Sequence, residues 1–561
     1  MKQHLCAVFA VSFAISMQAQ VVVGGHQPFY DEATQSFLYV TSESSLSNLT
    51  ASVSATSDGG WQDLKIDGKA VGSTFNFGDA SADRTYQLTA TAGGKQVTRT
   101  IRFTCLPVFK VVKSSDISKD YSSADIYMDA PDGSLNNTRV YCQIKTRGGT
   151  TNRADRHKRN YRFNITDSGG TNRNLSLLGM REDNGWILDA GQVDVFRVRN
   201  KVCHEMWLDF STKPYYFSKE SGAVNGCHTK EIELFINNEY RGMYDLMEPL
   251  DRKQLALKKY KKGNHGLLYK ASDYEGTTFY ESIKDKYSNK KDTWSGWEVK
   301  YPEPGDDADT TDFKPLKDFI DFVATSSDAD FKENIAQKMD LPVFEDWVLF
   351  IQLLNAPDNV GKNCYWSVYD YAKKGYTKFV LSPWDLDATF GTFLNNVVAD
   401  DDVPQMVAPT HEIGYVTNID KRMSKVFGDE YTKTMNDRYA ALRSTTFSYQ
   451  SLCDRFQNAY EELRFSGAAN REQAKWSGDT DIKGHQIDWE SELSYIKNWI
   501  SQRLNFVDPK YNYTSTTGIT NVNDNARRHP VDNNIYNLQG QRVGNSYRGI
   551  VIINGKKMIK R

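Results

Sequence analysis

The sequence predicts an α+β protein in which a large mixed domain is flanked by a small all-β domain on each side. Three observations support this prediction. Short alternating strands fill residues 21–105, amphipathic helices and apolar strands alternate through 106–511, and a polar linker at 512–530 precedes short strands at 531–561. A chain of 561 residues is also too long for a single hydrophobic core, so several domains are expected.

Residues 21–105 predict a β-sandwich of the immunoglobulin-like kind. Runs that are apolar or that alternate apolar and polar residues, as buried and half-buried strands do, occur at 35–41, 49–54, 86–91 and 96–104. Glycine pairs punctuate them, as turns require. No catalytic pattern occurs here, so we expect a spacing or binding role.

The first residues predict export. Lys2 precedes an apolar run from Leu5 to Met17 and a small-residue cleavage site, which is typical of a secretory signal peptide over residues 1–20. The run is shorter than the roughly 20 apolar residues that span a bilayer, and no later segment resembles a transmembrane span. The formal net charge of −2 gives no reason to expect a nucleic-acid partner. We therefore expect a secreted or cell-surface protein, with the periplasm as another location.

Seven cysteines occur, and one of them, Cys6, lies in the signal segment. The others are Cys105, Cys142, Cys203, Cys227, Cys364 and Cys453. An even number in an exported chain allows disulfides, and buried free thiols are the alternative. The cysteines are scattered singly without a C-x-x-C pair, which argues against a zinc site.

The chain ends in short strands joined by Asn554-Gly555, a favoured hairpin turn. The segments 535–543 and 549–561 resemble the C-terminal sorting modules of exported Bacteroidetes proteins. That resemblance implies the export machinery as a partner, and a β-module without a sorting role is the alternative. A second polar region, 275–315, is rich in Lys, Asp, Ser and Gly and predicts a solvated insertion or lid.

A helix is predicted from Asp340, a good N-cap, with Pro342 in its first turn. Its apolar face has helical spacing and consists of Val343, Trp347, Phe350, Ile351 and Leu354. Pro357 disfavours helical geometry at the residue before it, so the helix should end there. A loop with Asp358 and Asn363 follows.

Two strands then form a predicted hairpin, at 364–370 and 378–381, with a turn at 373–375. The second strand runs into Asp385 and Asp387. Such a hairpin returns the chain, so that residues before its first strand meet residues after its second.

The predicted order is a helix, an Asp-x₄-Asn loop, a hairpin and a further Asp. The catalytic parts of protein kinases follow the same order. There the first Asp accepts the proton of the substrate hydroxyl, and the Asn and later Asp hold Mg²⁺, which prefers hard oxygen ligands. The order predicts Asp358 as the base and Asn363 and Asp385 as metal ligands. Asp-x₄-Asn also occurs by chance, and Asp-rich turns are usually solvated loops.

Several ordered segments resemble the CotH family of atypical protein kinases over about residues 106–510. They are Ile144–Gly149, Lys158–Phe163, Leu177–Met180, Trp186–Leu188, Val198–Lys201, Leu234–Glu248, Asn355–Asn363 and Pro383–Gly391. The resemblance implies an atypical protein-kinase-like fold, ATP and Mg²⁺ as cofactors, and a secreted or surface protein as the phosphate acceptor.

The resemblance also implies residue roles. Asp358 would be the catalytic base, Asn363 and Asp385 the Mg²⁺ ligands, and Asp387 a second ligand or an orienting group. Lys158 would be the catalytic, phosphate-contacting lysine, although a basic run around it also suits a solvated strand end.

Three further residues have both a nucleotide-binding and a plain structural interpretation. Glu248 would lie near the adenine pocket or would only end a strand. Arg147, before a glycine pair, would help cover phosphates or belong to a simple turn. Lys362 would contact a phosphate or face solvent. Glu205 is the only partner we can suggest for a lysine–glutamate pair.

Two other functions remain open from the residues. A degenerate kinase fold could serve as a surface adhesin, which the many aromatic residues would suit, and ATP is scarce outside the cytoplasm. A glycoside hydrolase would need two opposed carboxylates. Asp385 and Asp387 are two positions apart, and on a strand would share one face, which suits a metal better.

Overall fold

The computed structural model describes residues 21–55, 60–153, 156–261, 263, 265–282, 291–302, 312–393, 405–479 and 486–514, with four short strands between 535 and 560. The predicted signal peptide and most of the predicted linker lie outside the described residues. The described elements combine helices and largely antiparallel sheets, so the α+β prediction is confirmed.

The first part of the chain forms two sheets that share one apolar core. Its elements are β1 Val21–Val23, β2 Phe29–Asp31, β3 Ser36–Val40, α1 Glu43–Leu46, β4 Leu49–Ala55, β5 Trp61–Ile66, β6 Lys69–Ala70, β7 Thr74–Gly78, β8 Tyr86–Ala92 and β9 Lys95–Thr104. One sheet has the order β1-β4-β7 and the other β2-β3-β9-β8-β5-β6. Tyr39, Phe77, Leu88 and Phe103 are buried together in the core. All four predicted strands are present, and the immunoglobulin-like assignment stays a prediction.

A closed barrel follows. Its region contains β10 Val108–Val112, β11 Ser122–Asp129, β12 Thr138–Arg147, β13 Asn160–Thr166, β14 Leu175–Ser176, β15 Glu182–Asp183, β16 Gly185–Asp189, α2 Arg199–Phe210, β17 Thr229–Ile236 and β18 Glu239–Met247. The barrel order is β10-β11-β12-β13-β16-β18-β17, and the parallel pair β10 and β17 closes it. Alternate strand positions fill the barrel with apolar side chains such as Ile144, Phe163, Trp186, Leu234 and Leu246.

The remaining part combines a five-stranded sheet with helices. Its elements are β19 Leu267–Ala271, β20 Thr293–Trp294, β21 Trp297–Tyr301, α3 Lys314–Thr325, α4 Asp328–Lys338, α5 Leu341–Leu354, β22 Cys364–Val368, β23 Phe379–Pro383, β24 Thr392–Phe393, β25 Gln405–Met406, α6 Asn418–Phe427, α7 Asp429–Arg443, α8 Tyr449–Ser466, α9 Ala468–Trp476 and α10 Trp489–Val507. The sheet has the order β20-β21-β19-β22-β23. Helices α2 and α9 pack on the outside of the barrel, against β17 and β18 respectively.

The polar region 275–315 differs from its prediction as a solvated insertion. Its described parts include β20 and β21 and bury Tyr280, Trp294, Trp297 and Phe313 in the large core. The few aromatic residues of this region therefore outweigh its polar composition, because each removes a large apolar area from water. Residues 283–290 and 303–311 lie outside the described residues.

The six cysteines that follow the predicted signal peptide are all free thiols, and five of them are buried. The disulfides that the sequence allows are therefore not formed, and the alternative of free thiols holds. Burial raises the pKa of the Cys203 thiol to about 12.

At the end of the chain, β26 Ile535–Asn537, β27 Arg542–Val543, β28 Gly549–Ile553 and β29 Lys556–Lys560 form a sheet of order β27-β26-β28-β29. The short strands are confirmed, and the sorting role stays a prediction. Among the described helices, none combines the length and apolar character needed to cross a membrane.

Candidate active site

The helix that leads into the site has the predicted bounds. Helix α5 begins at Leu341 and ends at Leu354, where Asn355 adopts a left-handed conformation with φ 49°. Asp340 occupies the predicted N-cap position, and its carboxylate also accepts a hydrogen bond from the Tyr215 backbone N–H at 2.7 Å. After the helix, Pro357–Asn359 form a short 3₁₀ turn that carries Asp358.

The hairpin of β22 and β23 brings the two ends of the motif together. Cys364 pairs with Pro383, so that the Trp384 N–H donates to the Asn363 carbonyl at 3.1 Å. Asn363 and Asp385 both have left-handed backbones, with φ 50° and 58°, a conformation that Asn and Asp tolerate better than most residues. The buried Asn359 amide donates to the Trp384 carbonyl at 2.7 Å and fixes this junction.

The carboxylate of Asp358 has partners on both of its oxygens. Oδ2 accepts from Asn363 Nδ2 at 2.6 Å, and Oδ1 accepts from the Tyr274 hydroxyl at 2.7 Å. The Lys362 ammonium lies 3.4 Å from Oδ1. Burial raises the pKa of Asp358, and the charge of Lys362 partly opposes this effect. Asp358 is therefore a candidate base with a raised pKa beside a candidate metal ligand.

Three further carboxylates face the same cleft: Asp189, Asp385 and Asp387. Asp189 accepts a hydrogen bond from Asn200 Nδ2 at 2.6 Å. The described residues donate no hydrogen bond to the side chain of Asp385 or Asp387. Burial, followed by the charges of Asp385 and Asp189, raises the pKa of Asp387 far above its usual value.

The donor atoms here fit a hard cation. Within the described residues, no group of three or more His, Cys, Asp or Glu is arranged to hold a metal ion. A kinase-type site, however, needs only one carboxylate and one amide oxygen from the protein, because phosphates and water complete the shell. The Asp385 carboxylate and the Asn363 amide oxygen, which has no donor among the described residues, supply that pair.

The cleft encloses about 370 Å³ between the barrel and the five-stranded sheet. Arg147, from the end of β12, lies 5.6 Å from the centre of the Trp384 ring. Opposite it, the ammonium group of the half-buried Lys270 of β19 forms no hydrogen bond or ion pair with any described residue. Burial lowers the pKa of Lys270, although the charge of Asp385 opposes this. With Lys362, the cleft thus offers three cations to an anionic ligand.

Lys158, the predicted phosphate-contacting lysine, lies elsewhere. It is 1% exposed, and its ammonium donates to Glu472 Oε1 and to the Met243 carbonyl, both at 2.7 Å. Burial lowers the pKa of Lys158 to about 8, against the attraction of Glu472. Lys158 does not line the cleft, because α9 holds its ammonium against the outer face of the barrel.

Glu248 also lies away from the cleft. Burial alone would raise its pKa, but hydrogen bonds from His228, the Arg181 backbone and Gln254 lower it to about 2. Each of its oxygens is thus occupied by the protein. The structural interpretation of this residue fits better than an adenine contact.

The structure therefore brings together Asp358, Asn363, Asp385, Asp387, Arg147 and Lys362 and excludes Lys158 and Glu248. Sequence reasoning missed Asp189, Lys270 and Tyr274. Asp189 and Lys270 each lie at or near the end of a short apolar strand, Trp186–Leu188 or Leu267–Tyr269, and that position was the available signal. Tyr274 had none, because its contact with Asp358 spans 84 positions.

An Asp-x₄-Asn loop and a post-hairpin Asp that meet in a cleft between two lobes define a kinase-like protein. Residues 144–507 match the family described as CotH kinase protein. This match covers more than half of the 561 residues, and the chain belongs to the CotH kinase family. Comparison with curated proteins finds no match.

Proposed function

We propose that this chain is an ATP- and Mg²⁺-dependent protein kinase that phosphorylates a hydroxyl group of a secreted or surface protein. The observation that supports this function best is the convergence of Asp358, Asn363 and Asp385 in one cleft. Phosphoryl transfer needs little covalent chemistry from the protein and depends mainly on positioning and charge.

Asp358 is the proposed base that accepts the proton of the acceptor hydroxyl. Its raised pKa suits that role, since a base works best when its pKa approaches the operating pH. The hydrogen bond from Asn363 holds Oδ2 in place, and an acceptor hydroxyl would donate to Oδ1, where the Tyr274 hydroxyl donates in this structure.

Asn363 and Asp385 would hold Mg²⁺, with Asp387 as a further ligand or an orienting group. When bound, Mg²⁺ would neutralise the charge that develops on the phosphates. The absence of protein donors to Asp385 and Asp387 favours this role, because it leaves their carboxylate oxygens available to a hard cation.

Arg147, Lys362 and Lys270 are the proposed phosphate contacts. We assign to Lys270 the role that sequence similarity implied for Lys158, since its ammonium faces the cleft without a protein partner. The backbone of Gly148 and Gly149 borders the same space and would allow a phosphate to approach closely, because these residues have no side chain.

The adhesin alternative is not favoured. An adhesin on a kinase-like fold would have no reason to keep uncompensated carboxylates at Asp385 and Asp387.

Secretion or display at the surface remains part of the proposal and draws on the signal-like segment at 1–20. The strands after residue 535 would engage the export machinery, and deletion of 531–561 should then retain the protein in the periplasm, as measured by cell fractionation.

The direct test is Mg²⁺-dependent ATP binding and turnover by the purified chain. Asp385→Ala should abolish both the ATP-induced rise in melting temperature and phosphate transfer. Asp358→Asn should keep the rise but reduce transfer about a thousandfold, within the range of general-base contributions. Asp437→Ala, at an exposed ion pair of α7, is the matched control and should change neither. If ATP with Mg²⁺ does not stabilise the unsubstituted chain, the proposal is wrong.

A further inference from the structure

The loop after β19 brings a tyrosine onto the candidate base. The Tyr274 side chain is 44% exposed, yet its hydroxyl donates to Asp358 Oδ1 at 2.7 Å. The other oxygen of the same carboxylate accepts from Asn363 at 2.6 Å. Asp358 thus lies between a surface hydroxyl and a candidate metal ligand.

Packing on both sides holds the Tyr274 ring in this position. Phe279 stacks on it with ring centroids 6.3 Å apart, and the Lys362 ammonium lies 5.1 Å from its centre. Phe279 in turn covers Gly361, where φ is +72° and a Cβ atom would meet the ring at 2.8 Å. Only glycine therefore fits at position 361, which lies between Asp358 and Asn363 in the sequence.

The loop itself is anchored to α6. The Asn418 backbone N–H donates to the Phe279 carbonyl at 3.0 Å, and its side-chain amide donates to the Tyr280 carbonyl at 2.8 Å. Tyr280 is fully buried in the large core. The position of Tyr274 is consequently defined by contacts within the described residues, although its own side chain is exposed.

We propose that the Tyr274 hydroxyl occupies the acceptor position of the kinase site and that the chain phosphorylates itself there. A general base must lie within about 2.6–3.2 Å of the oxygen whose proton it removes, and the 2.7 Å between the Tyr274 hydroxyl oxygen and Asp358 Oδ1 meets this condition. The inference rests on the proposed function and deepens it, since it places a phenol among the accepted hydroxyl groups.

The transfer balances as an ordinary phosphoryl transfer from ATP. The phenolic oxygen of Tyr274 forms a bond to the γ-phosphorus while the bond from that phosphorus to the bridging oxygen of ADP breaks. The phenolic proton passes to Asp358, and from there to solvent. The products are phosphotyrosine and ADP, and no oxidant or further reactant is required.

The test is to incubate the purified full chain with Mg²⁺ and ATP labelled in the γ-phosphate, and to locate the label by peptide mass spectrometry. We expect label at Tyr274, and Tyr274→Phe should lower total incorporation at least tenfold. The matched control is Tyr415→Phe, which should keep full incorporation. It alters another exposed tyrosine, whose hydroxyl is hydrogen-bonded, within the part of the chain that the structure describes, only to Ser424. Equal melting temperatures for both variants would show that folding is intact.

Reaction within one chain also predicts the kinetics. The first-order rate constant should stay unchanged over a tenfold dilution of the protein, and Asp358→Asn should remove the label. A rate constant that falls in proportion to dilution would overturn transfer within one chain.

Failure of this inference is distinguishable from failure of the proposed function. If the chain phosphorylates added acceptor proteins while Tyr274 stays unlabelled, the inference is wrong and the proposed function stands. If ATP is neither bound nor consumed, both are wrong.

Discussion

Two groups of charged residues in this protein differ in whether other residues pair with their charges. On the outer face of the barrel, Lys158 and Arg197 share the Glu472 carboxylate at 2.7 and 2.8 Å, and all three side chains are at most 3% exposed. In the cleft, Asp385, Asp387 and Lys270 have no such partners among the described residues. The charges of the first group are paired within the protein. Those of the second group are left for a ligand to pair.

The difference separates structural charge from functional charge. A buried ion pair is stable only when its geometry repays the loss of hydration, and then breaking it is costly. Charges that converge in a cleft without partners are instead typical of sites that bind a ligand. Residue type alone cannot distinguish the two, because both groups combine basic side chains with carboxylates.

The largest expected effect on stability is at Glu472. Glu472→Ala removes the carboxylate that two buried cations share and should lower the free energy of unfolding by about 3 kcal/mol. Urea denaturation of both chains would measure it. The matched control is Glu239→Ala, since Glu239 forms more exposed ion pairs with Arg241 and Lys475. That change should lower the free energy of unfolding by less than about 0.5 kcal/mol. Equal losses for the two variants would contradict the comparison.

The two lysines provide the sharpest test of which charge is functional. Lys270→Met should weaken ATP binding about tenfold, equivalent to about 1.4 kcal/mol, with little change in stability. Lys158→Met should do the reverse, because it removes a partner of Glu472 and nothing from the cleft. Isothermal titration with Mg²⁺ and ATP, together with thermal melts, would measure both. A loss of ATP affinity confined to Lys158→Met would restore the role that sequence similarity implied.

The smallest expected effect concerns carboxylates that are buried but lack hydrogen bonds. Glu231 and Asp245 are cross-strand partners, each 4% exposed, and Lys201 lies 3.9 Å from Glu231. Neither side-chain oxygen of Glu231 has a hydrogen-bond partner among the residues that the structure describes. Burial raises the pKa of Glu231 to about 8, although Lys201 opposes this. The pKa of Asp245 is raised too, by burial and then by Glu231.

A carboxyl group with a raised pKa holds its proton in the folded state over a pH range in which the unfolded chain has lost it. Folding therefore weakens as the pH rises from the ordinary glutamate value to about 8. Glu231→Gln should flatten this dependence and raise stability at pH 8 by about 1 kcal/mol. Denaturation at several pH values would measure it, and a steeper dependence in the variant would contradict the prediction.

The sequence predicted those parts of the site that depend on near neighbours. The end of α5 before Pro357, the hairpin of β22 and β23, and the convergence of Asn363 with Asp385 follow from proline geometry, turn residues and strand pairing. Each of these interactions joins residues within a few tens of positions, and a local pattern is enough to indicate it.

The tertiary structure decided which basic residues serve the site. Lys158 and Glu472 are 314 positions apart, and only the packing of α9 on the barrel shows that they neutralise each other. Lys270 becomes the cleft lysine because β19 lies beside β22 in the five-stranded sheet. The order of helix, Asp-x₄-Asn loop, hairpin and later Asp was thus determined by the sequence alone. The assignment of each charge to structure or function was not, because burial and pairing depend on residues that only the folded chain brings together.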